Sequence, residues 1–300
     1  MAGNLLPVHP EDKRPGGALI RHLFMENCKL CSFNNPKPSV TAIIVRDGKM
    51  LMLRRNEEPF KGMWDLPGGY LHGIETHEQA LKRELLEELG IVELKGFEYI
   101  TQIAGTSTFE EKTIPIISSF YLVNIGDDEI VLNEENSEYH FVPIRDIKID
   151  EVAFDSNQQA LKEIIPKIGF DLVRIRELTL QLDESAEVKE WSLYVAALRG
   201  RVATIQETDG GHQKLVGIGW YFTRQTMLRK QAVVEDMIVD IEYRGRGLGR
   251  MLMEELISRA KKDGVEVMEL TTNPKREAAN ILYQNVGFKI HPTNHYLLKL

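Results

Sequence analysis

The sequence predicts an α+β protein of two domains, each combining helices with mainly antiparallel sheet. Three observations lead there. The chain has 300 residues, 43% of them hydrophobic, which is enough for two cores of ordinary size. Apolar runs of strand length, bounded by Gly, Pro and Asp, recur in both halves. Each half also holds a segment with four-residue apolar spacing, Leu81-Leu85-Leu89 in one and Leu248-Leu252-Leu256-Ala260 in the other, and both read as amphipathic helices.

In chain order, residues 1–37 form an N-terminal segment, 38–167 a first domain and 171–300 a second. Ser39 to Val45 and Lys49 to Arg54 read as strands around Asp47-Gly48, a hairpin turn signal. A loop carrying Leu66-Pro67-Gly68-Gly69 leads into a helix from His77 to Leu89, then strands at Glu98–Ile103, Thr113–Val123 and Tyr139–Val142. A helix over Asn157–Ile165 is expected to stop at Pro166, and Asp171–Arg176 reads as the first strand of the second domain. Strands follow at Val216–Arg224 and Ala232–Asp240. Next come a helix over Gly247–Lys262, a strand over Val265–Thr271, a helix over Arg276–Val286 and a strand over Tyr296–Leu300.

Composition excludes several classes. The charge is 37 − 45 = −8, which disfavours non-specific binding to nucleic acid or a membrane surface, since both depend on Lys and Arg. The longest apolar runs fall far short of the roughly 18 residues that a membrane span needs. No basic start followed by an apolar stretch marks a secretory signal, so a cytoplasmic protein is expected. Two cysteines cannot make a disulfide framework. Cys28-x2-Cys31 is half of a zinc knuckle, with only His22 and His72 nearby. A reduced pair, a structural zinc, a zinc shared between subunits and a redox pair all remain open. A homodimer through the N-terminal segment is compatible with the sequence.

The helix over His77–Leu89 carries the first chemistry. Thr76 and Gln79 form a capping-box pattern at its start, and Gly90 is a natural stop. Glu84, Glu87 and Glu88 stand at i, i+3 and i+4, so three carboxylates share one face. Bare, two such charges about 6 Å apart repel by roughly 3 kcal/mol at an effective dielectric near 20. A hard divalent cation reverses that sign, and carboxylate oxygens suit Mg2+ or Mn2+.

The whole segment, Gly69-x5-Glu75-x7-Arg83-Glu84-Leu85-x-Glu87-Glu88-x-Gly90-Ile91, resembles the signature box of the Nudix hydrolases at every fixed position. Pro38-Ser39-Val40 and Trp64-Asp65-Leu66-Pro67-Gly68-Gly69 upstream, and Glu135-x2-Glu138-x2-Phe141 downstream, are also similar to that family. The resemblance implies an α/β/α sandwich that cleaves a nucleoside diphosphate linked to another moiety. It implies that Glu84, Glu87 and Glu88 hold Mg2+ or Mn2+ with a backbone carbonyl of Gly68 or Gly69, and that Arg83 and Glu75 orient the helix. One of the glutamates, or Glu135, would deprotonate the attacking water. The family's glycine before its first glutamate is replaced by Ile74 after Gly73. Residues 28–91 look nearest to the ADP-ribose and NADH pyrophosphatase branch.

In the second half, Arg244-Gly245-Arg246-Gly247-Leu248-Gly249-Arg250 joins a strand to an apolar-striped helix. A glycine-rich helix entry exposes backbone N–H groups at a positive helix end, which suits a pyrophosphate. Val234-Glu235-Asp236-Met237-Ile238-Val239 precedes this turn, and Asn273-Pro274-x-Arg276, Asn280, Tyr283 and Gly287-Phe288 follow it. Together these look like the GNAT acetyltransferases, a mixed, mainly antiparallel sheet flanked by helices. The resemblance implies that acetyl-CoA binds through Arg244 and the amides of Arg246, Gly247, Leu248, Gly249 and Arg250, with Asn280 beside it. It places the pantetheine arm along Met237, Ile238 and Val239. Glu235 is the candidate base, with Asp236 competing, and Tyr283 the candidate acid facing the sulfur. Trp191, Tyr194 and Trp220-Tyr221-Phe222 are candidates for an acceptor pocket. The expected protein is therefore a bifunctional enzyme acting on a nucleotide derivative and an amine acceptor. Its rivals are a hydrolase controlled by an acyl-CoA-sensing second half, and an acetyltransferase with a nucleotide-sensing first half.

Overall fold

The structure, a computed structural model, describes residues 35–109, 112–209, 211–293, 296 and 298. Cys28, Cys31 and His22 lie outside the described residues. The first sheet contains β1 (Lys37–Arg46), β2 (Lys49–Arg55), β3 (Trp64–Asp65), β4 (Gly68–Tyr70), β5 (Gly96–Phe109), β6 (Lys112–Asn124) and β7 (Asn136–Pro143). Its order is β3-β2-β1-β6-β5, with β4 on β1 and β7 on β2. The β1–β6 pair is parallel, and Asp47 and Gly48 at the β1–β2 turn both have positive φ, as a type I′ hairpin requires.

Strand β1 explains the layering. Its side chains alternate, and Val40, Ala42 and Ile44 pack under α1 (His77–Leu89) with Leu81, Leu85 and Leu89. On the opposite face Ile43 joins Met50 and Met52 against α2 (Asp155–Ile168). That second core does not stop at the first domain. It continues through α3 (Leu172–Leu180) and α4 (Glu190–Leu198) to Val202, Leu215, Ile218 and Ile238 of the second sheet. This sheet has the order β11-β10-β9-β8, from β8 (Val202–Asp209), β9 (His212–Gln225), β10 (Lys230–Val239) and β11 (Val267–Leu270), with β10–β11 parallel. Its far face packs on α5 (Leu248–Lys262) through Leu252, Met253 and Leu256, with Tyr283 of α6 (Glu277–Asn285) alongside. The two α+β domains thus share one apolar layer, and residues 36–300 form one compact unit.

Polar contacts lock the shared layer. The Glu190 carboxylate accepts hydrogen bonds from the backbone N–H groups of Asp47 (3.0 Å) and Gly48 (2.8 Å), and from Tyr194 Oη at 2.8 Å. Arg176 pairs with Asp47 at 2.8 Å.

The structure corrects several expectations. Asp171–Arg176 is the start of α3, not a strand: Leu172, Ile175 and Leu178 repeat every three residues and are buried, and Asp171 caps the helix by accepting from Arg174 N. The six residues alone also fit an alternating pattern, and only the continuation to Leu178 separates the two. Helix α2 runs through Pro166 to Ile168 because burial of Ile164 and Ile168 outweighs the single hydrogen bond that proline removes near the helix end. Tyr296 and Leu298 lie outside any strand, and residues 297, 299 and 300 are not described. Trp191 and Tyr194 belong to the shared layer rather than to a pocket: Trp191 covers Gly96, and Tyr194 is buried and stacked on Phe170. Among the described residues, no helix is long and apolar enough to cross a membrane.

Because one core serves both sheets, Ile175→Ala should lower stability by about 2–5 kcal/mol. In single-tryptophan variants, the Trp64 and Trp220 fluorescence transitions in urea should shift together. Separate midpoints would show that the two sheets unfold independently.

Candidate active sites

The capping box seen in the sequence forms in full. Thr76 Oγ1 accepts from Gln79 N at 3.3 Å and Thr76 N donates to Gln79 Oε1 at 2.8 Å, while Gly90 closes the helix in the left-handed conformation. With Leu81, Leu85 and Leu89 in the core, Glu84 and Glu88 are turned towards β4 and Glu87 towards solvent. Arg83 is the hub. Its guanidinium donates to both oxygens of Glu75 (2.8 and 3.0 Å), to Glu84 Oε1 (2.8 Å), to Glu87 Oε2 (3.0 Å) and to the Tyr70 carbonyl (2.9 Å). This contact holds the Glu75 carboxyl down at about 2.

Two glycines bring the helix to the sheet. Gly68 pairs with Thr41 of β1 so closely that a Cβ would sit 2.1 Å from the Val40 carbonyl oxygen, and its φ of +145° is one that side chains rarely adopt. Its N–H donates to Glu88 Oε2 at 2.8 Å. A Cβ on Gly69 would sit 2.3 Å from Glu84 Oε1. Burial pushes the Glu88 carboxyl well above its ordinary value, reinforced by the charges of Glu84, Asp65 and Glu135. Burial raises Glu84 as well, against the pull of Arg83.

The donor set suits a hard divalent cation. A buried carboxylate, Glu88, and a half-buried one, Glu84, both with raised pKa values, meet the Gly68-Gly69 backbone, which is an electrostatic situation that a cation relieves. The geometry is not yet that of a chelate. Among the described residues no three acidic, His or Cys side chains converge on one point, since Arg83 holds Glu84 and Glu87 and Glu88 faces Gly68.

Beside Gly68 and Gly69 opens a cavity of about 250 Å3. Asp65 on its wall takes hydrogen bonds from Arg55 (2.9 Å), Leu66 N (2.8 Å) and Asn157 (2.7 Å), and burial nevertheless holds its pKa up at about 6. Arg55 and Asn157 escaped sequence reading because they lie on different elements from the box and carry no motif of their own.

In the second sheet, β11 pairs with Gln231–Val234 of β10 and leaves that edge of Met237, Ile238 and Val239 uncovered. A bulge between Glu235 and Ile238 marks the divergence, with Asp236 at φ +47° and its carboxylate accepting from Trp220 Nε1 at 3.0 Å. Glu235 precedes the bulge, opposite Trp220 in the ladder. Gly245 (φ +80°) and Gly247 (φ +81°) shape the turn into α5, and no side chain caps that helix. Arg244 donates to the Val239 carbonyl, Arg246 lies over the Tyr243 ring, and Arg250 pairs with Glu254. Buried Asp240 fastens the turn to α3 through Arg174. Half-buried Tyr283 meets Phe288 edge-on, and burial raises its hydroxyl pKa.

Comparison with known proteins accounts for both halves. Residues 35–167 match the NUDIX domain model and residues 173–288 match the Acetyltransferase (GNAT) family model. The chain carries a Nudix domain followed by a GNAT acetyltransferase domain. An ADP-ribose pyrophosphatase of Methanocaldococcus jannaschii is 26% identical over 177 residues, 58% of this chain and 90% of that protein. An 8-oxo-dGTP diphosphatase of Haemophilus influenzae is 41% identical over 88 residues, 28% of this chain and 61% of that protein. A solved Trypanosoma brucei acetyltransferase is 24% identical, over 43% of this chain and 93% of its own, with a TM-score of 0.35.

The structure brings Glu84 and Glu88 to the Gly68-Gly69 backbone and links Glu75, Glu84 and Glu87 through Arg83. In the GNAT domain it places Met237–Val239 at the uncovered strand edge and residues 244–250 at the helix entry. The Asn280 amide donates to the carbonyls of Asn273 (3.2 Å) and Arg276 (3.0 Å), which ties down the loop before α6. Tyr221 is buried with its hydroxyl on Asp263, so it is a core residue and not part of an acceptor pocket.

Gly68→Ala should cost about 2 kcal/mol or more, since backbone meets backbone. Gly69→Ala should cost less, because a carboxylate end can swing aside; urea unfolding compares them. Since Glu75 titrates in the fold near 2 rather than 4.5, its pairing stabilises fully above pH 4.5 and fades as pH falls towards 2. Glu75→Gln should therefore destabilise at pH 7 and progressively less as the pH drops below 4.5.

Proposed function

We propose that the protein is a bifunctional enzyme. The Nudix domain hydrolyses the phosphoanhydride of a nucleoside diphosphate derivative with Mg2+ or Mn2+, and the GNAT domain transfers acetyl from acetyl-CoA to an amine. The observation that carries the first activity is the meeting of Glu84 and Glu88 at the Gly68-Gly69 backbone, under the control of Arg83. Glu84, Glu87 and Glu88, with the Gly69 carbonyl, would hold the ion. Bound there, it neutralises diphosphate charge and lowers the pKa of the attacking water. Arg83 and Glu75 fix the helix rotation that presents the carboxylates. Glu135, near enough for its charge to raise Glu88, takes the water's proton. ADP-ribose is the favoured substrate, supported by the Methanocaldococcus jannaschii relative, 90% of whose length is matched.

In the GNAT domain the amides from Arg246 to Arg250 receive the pyrophosphate of acetyl-CoA, and the open edge at Met237–Val239 pairs with its pantetheine arm. Glu235 removes the proton from the acceptor ammonium, and Tyr283 returns one to the departing thiolate.

Glu88→Gln should lower Mg2+-dependent hydrolysis about 100-fold or more, in a panel of ADP-ribose, NADH, dinucleoside polyphosphates, oxidised nucleotides and CoA. Tyr283→Phe should lower acetyl transfer about tenfold or more with acetyl-CoA affinity unchanged. If acetyl-CoA binds but no amine in a broad library is acetylated, the GNAT domain is a sensor and not a catalyst.

A further inference from the structure

Four described non-glycine residues have positive φ: Asp47, Phe60, Phe154 and Asp236. Asp236, at φ +47°, sits inside the bulge of β10, where the strand changes the face it presents. Val234 packs into the core under α5, whereas Ile238 packs into the layer shared with the first domain. Residues four apart on a regular strand face the same way, so one extra residue must lie between these two. Glu235 stands opposite Trp220 and Ile238 opposite Ile218, which leaves Gly219 alone to face both Asp236 and Met237. A Cβ on Gly219 would meet Met237 Cγ at 3.0 Å, so Met237 occupies the room that this glycine leaves.

The apolar pattern demands an extra residue but does not say how its backbone is held. A hydrogen bond decides that. Trp220 Nε1 donates to Asp236 Oδ2 at 3.0 Å, joining β9 to β10 across the bulge. The Trp220 ring packs against the shared layer, which fixes the donor. Asp236 is exposed and takes a left-handed backbone that aspartate tolerates better than most residues. The bond therefore ties the displaced residue to a packed wall and keeps the bulge in one place. Directly beyond it, Met237, Ile238 and Val239 present the edge that β11 does not cover. With its carboxylate bonded to the indole, Asp236 is placed to hold this backbone rather than to exchange a proton.

We propose that Trp220 and Asp236 are positioning residues of the GNAT domain: their hydrogen bond sets the bulge that aims the Met237–Val239 edge at the pantetheine arm of acetyl-CoA. The proposal rests on the acetyltransferase reading for the place of that arm. It also removes Asp236 as a competitor of Glu235 for the role of base.

The test is calorimetric binding of acetyl-CoA, and of 3′-phospho-ADP as the same head group without the arm, to the full chain. Trp220→Phe keeps a ring and loses the N–H. Asp236→Gly loses the acceptor at an exposed position without straining the backbone, and Asp236→Asn keeps an acceptor oxygen. Trp220→Phe and Asp236→Gly should each weaken acetyl-CoA binding about tenfold and leave 3′-phospho-ADP within about twofold of wild type. The double variant should lose no more than either single one, because both remove the same bond. Asp236→Asn should bind acetyl-CoA as the wild type does and acetylate an amine with kcat and KM both kept. Unchanged acetyl-CoA affinity in Trp220→Phe and Asp236→Gly, or an equal loss for both ligands, overturns the proposal. So does a kcat lost in Asp236→Asn at unchanged affinity, or a wild type that binds no acetyl-CoA. The expected binding losses in a protein that acetylates no amine would sink the transferase reading and leave the positioning bond standing. Acetyl transfer that ignores both Trp220→Phe and Asp236→Gly would do the reverse.

Discussion

The close approach of Gly68 and Gly69 to strand β1 on one side and helix α1 on the other is the constraint from which the hydrolase site follows. With no side chain at either position, the backbone occupies a gap that a methyl group would close. Gly68 N–H can then reach Glu88, and Glu84 can lie flat over Gly69. The cost is two carboxyl groups withdrawn from water, with pKa values raised by burial. Arg83 offsets part of that cost by spreading five hydrogen bonds over three carboxylates and a carbonyl, a fork geometry that lysine cannot reproduce.

The same strand ties the two domains together. One face of β1 packs on α1 and the other on the layer that also supports the second sheet. The turn ending β1 is gripped by Glu190 and Arg176, while α3 also holds Asp240, at the head of the glycine turn, through Arg174. Strand β1 and the glycine turn into α5 are therefore anchored to neighbouring residues of one helix pair. A linker of a few residues suffices because the core, not the linker, sets the arrangement.

Both domains contain departures from regular backbone. The bulge at Asp236 and the short β11 leave a strand edge exposed within the second sheet, and the left-handed phenylalanines set an aromatic wall beside the hydrolase carboxylates. The bulge breaks the β9–β10 register between Glu235 and Ile238, whereas the phenylalanines lie outside the strands, in the loop after β2 and at the start of α2.

By itself the sequence determined what depends on near neighbours. Helix α1 with its capping box, the Asp47-Gly48 hairpin, the carboxylate face and the glycine turn into α5 are all set by spacings of a few residues, and each is legible without a structure. Legibility failed where a short window is ambiguous or apolar throughout. Asp171–Arg176 fits two periods, and α4 is apolar on every side because it lies between two sheets, so it shows no stripe. Tertiary structure alone decided which distant residues share a site. Arg55 of β2, Asp65 of β3 and Asn157 of α2 meet at one cavity, and Asn280 and Tyr221, though suggestive in sequence, tie a loop and fill a core. The physical reason is range: helix and turn preferences act over three or four residues, whereas burial and ring-to-ring contact depend on how whole layers pack.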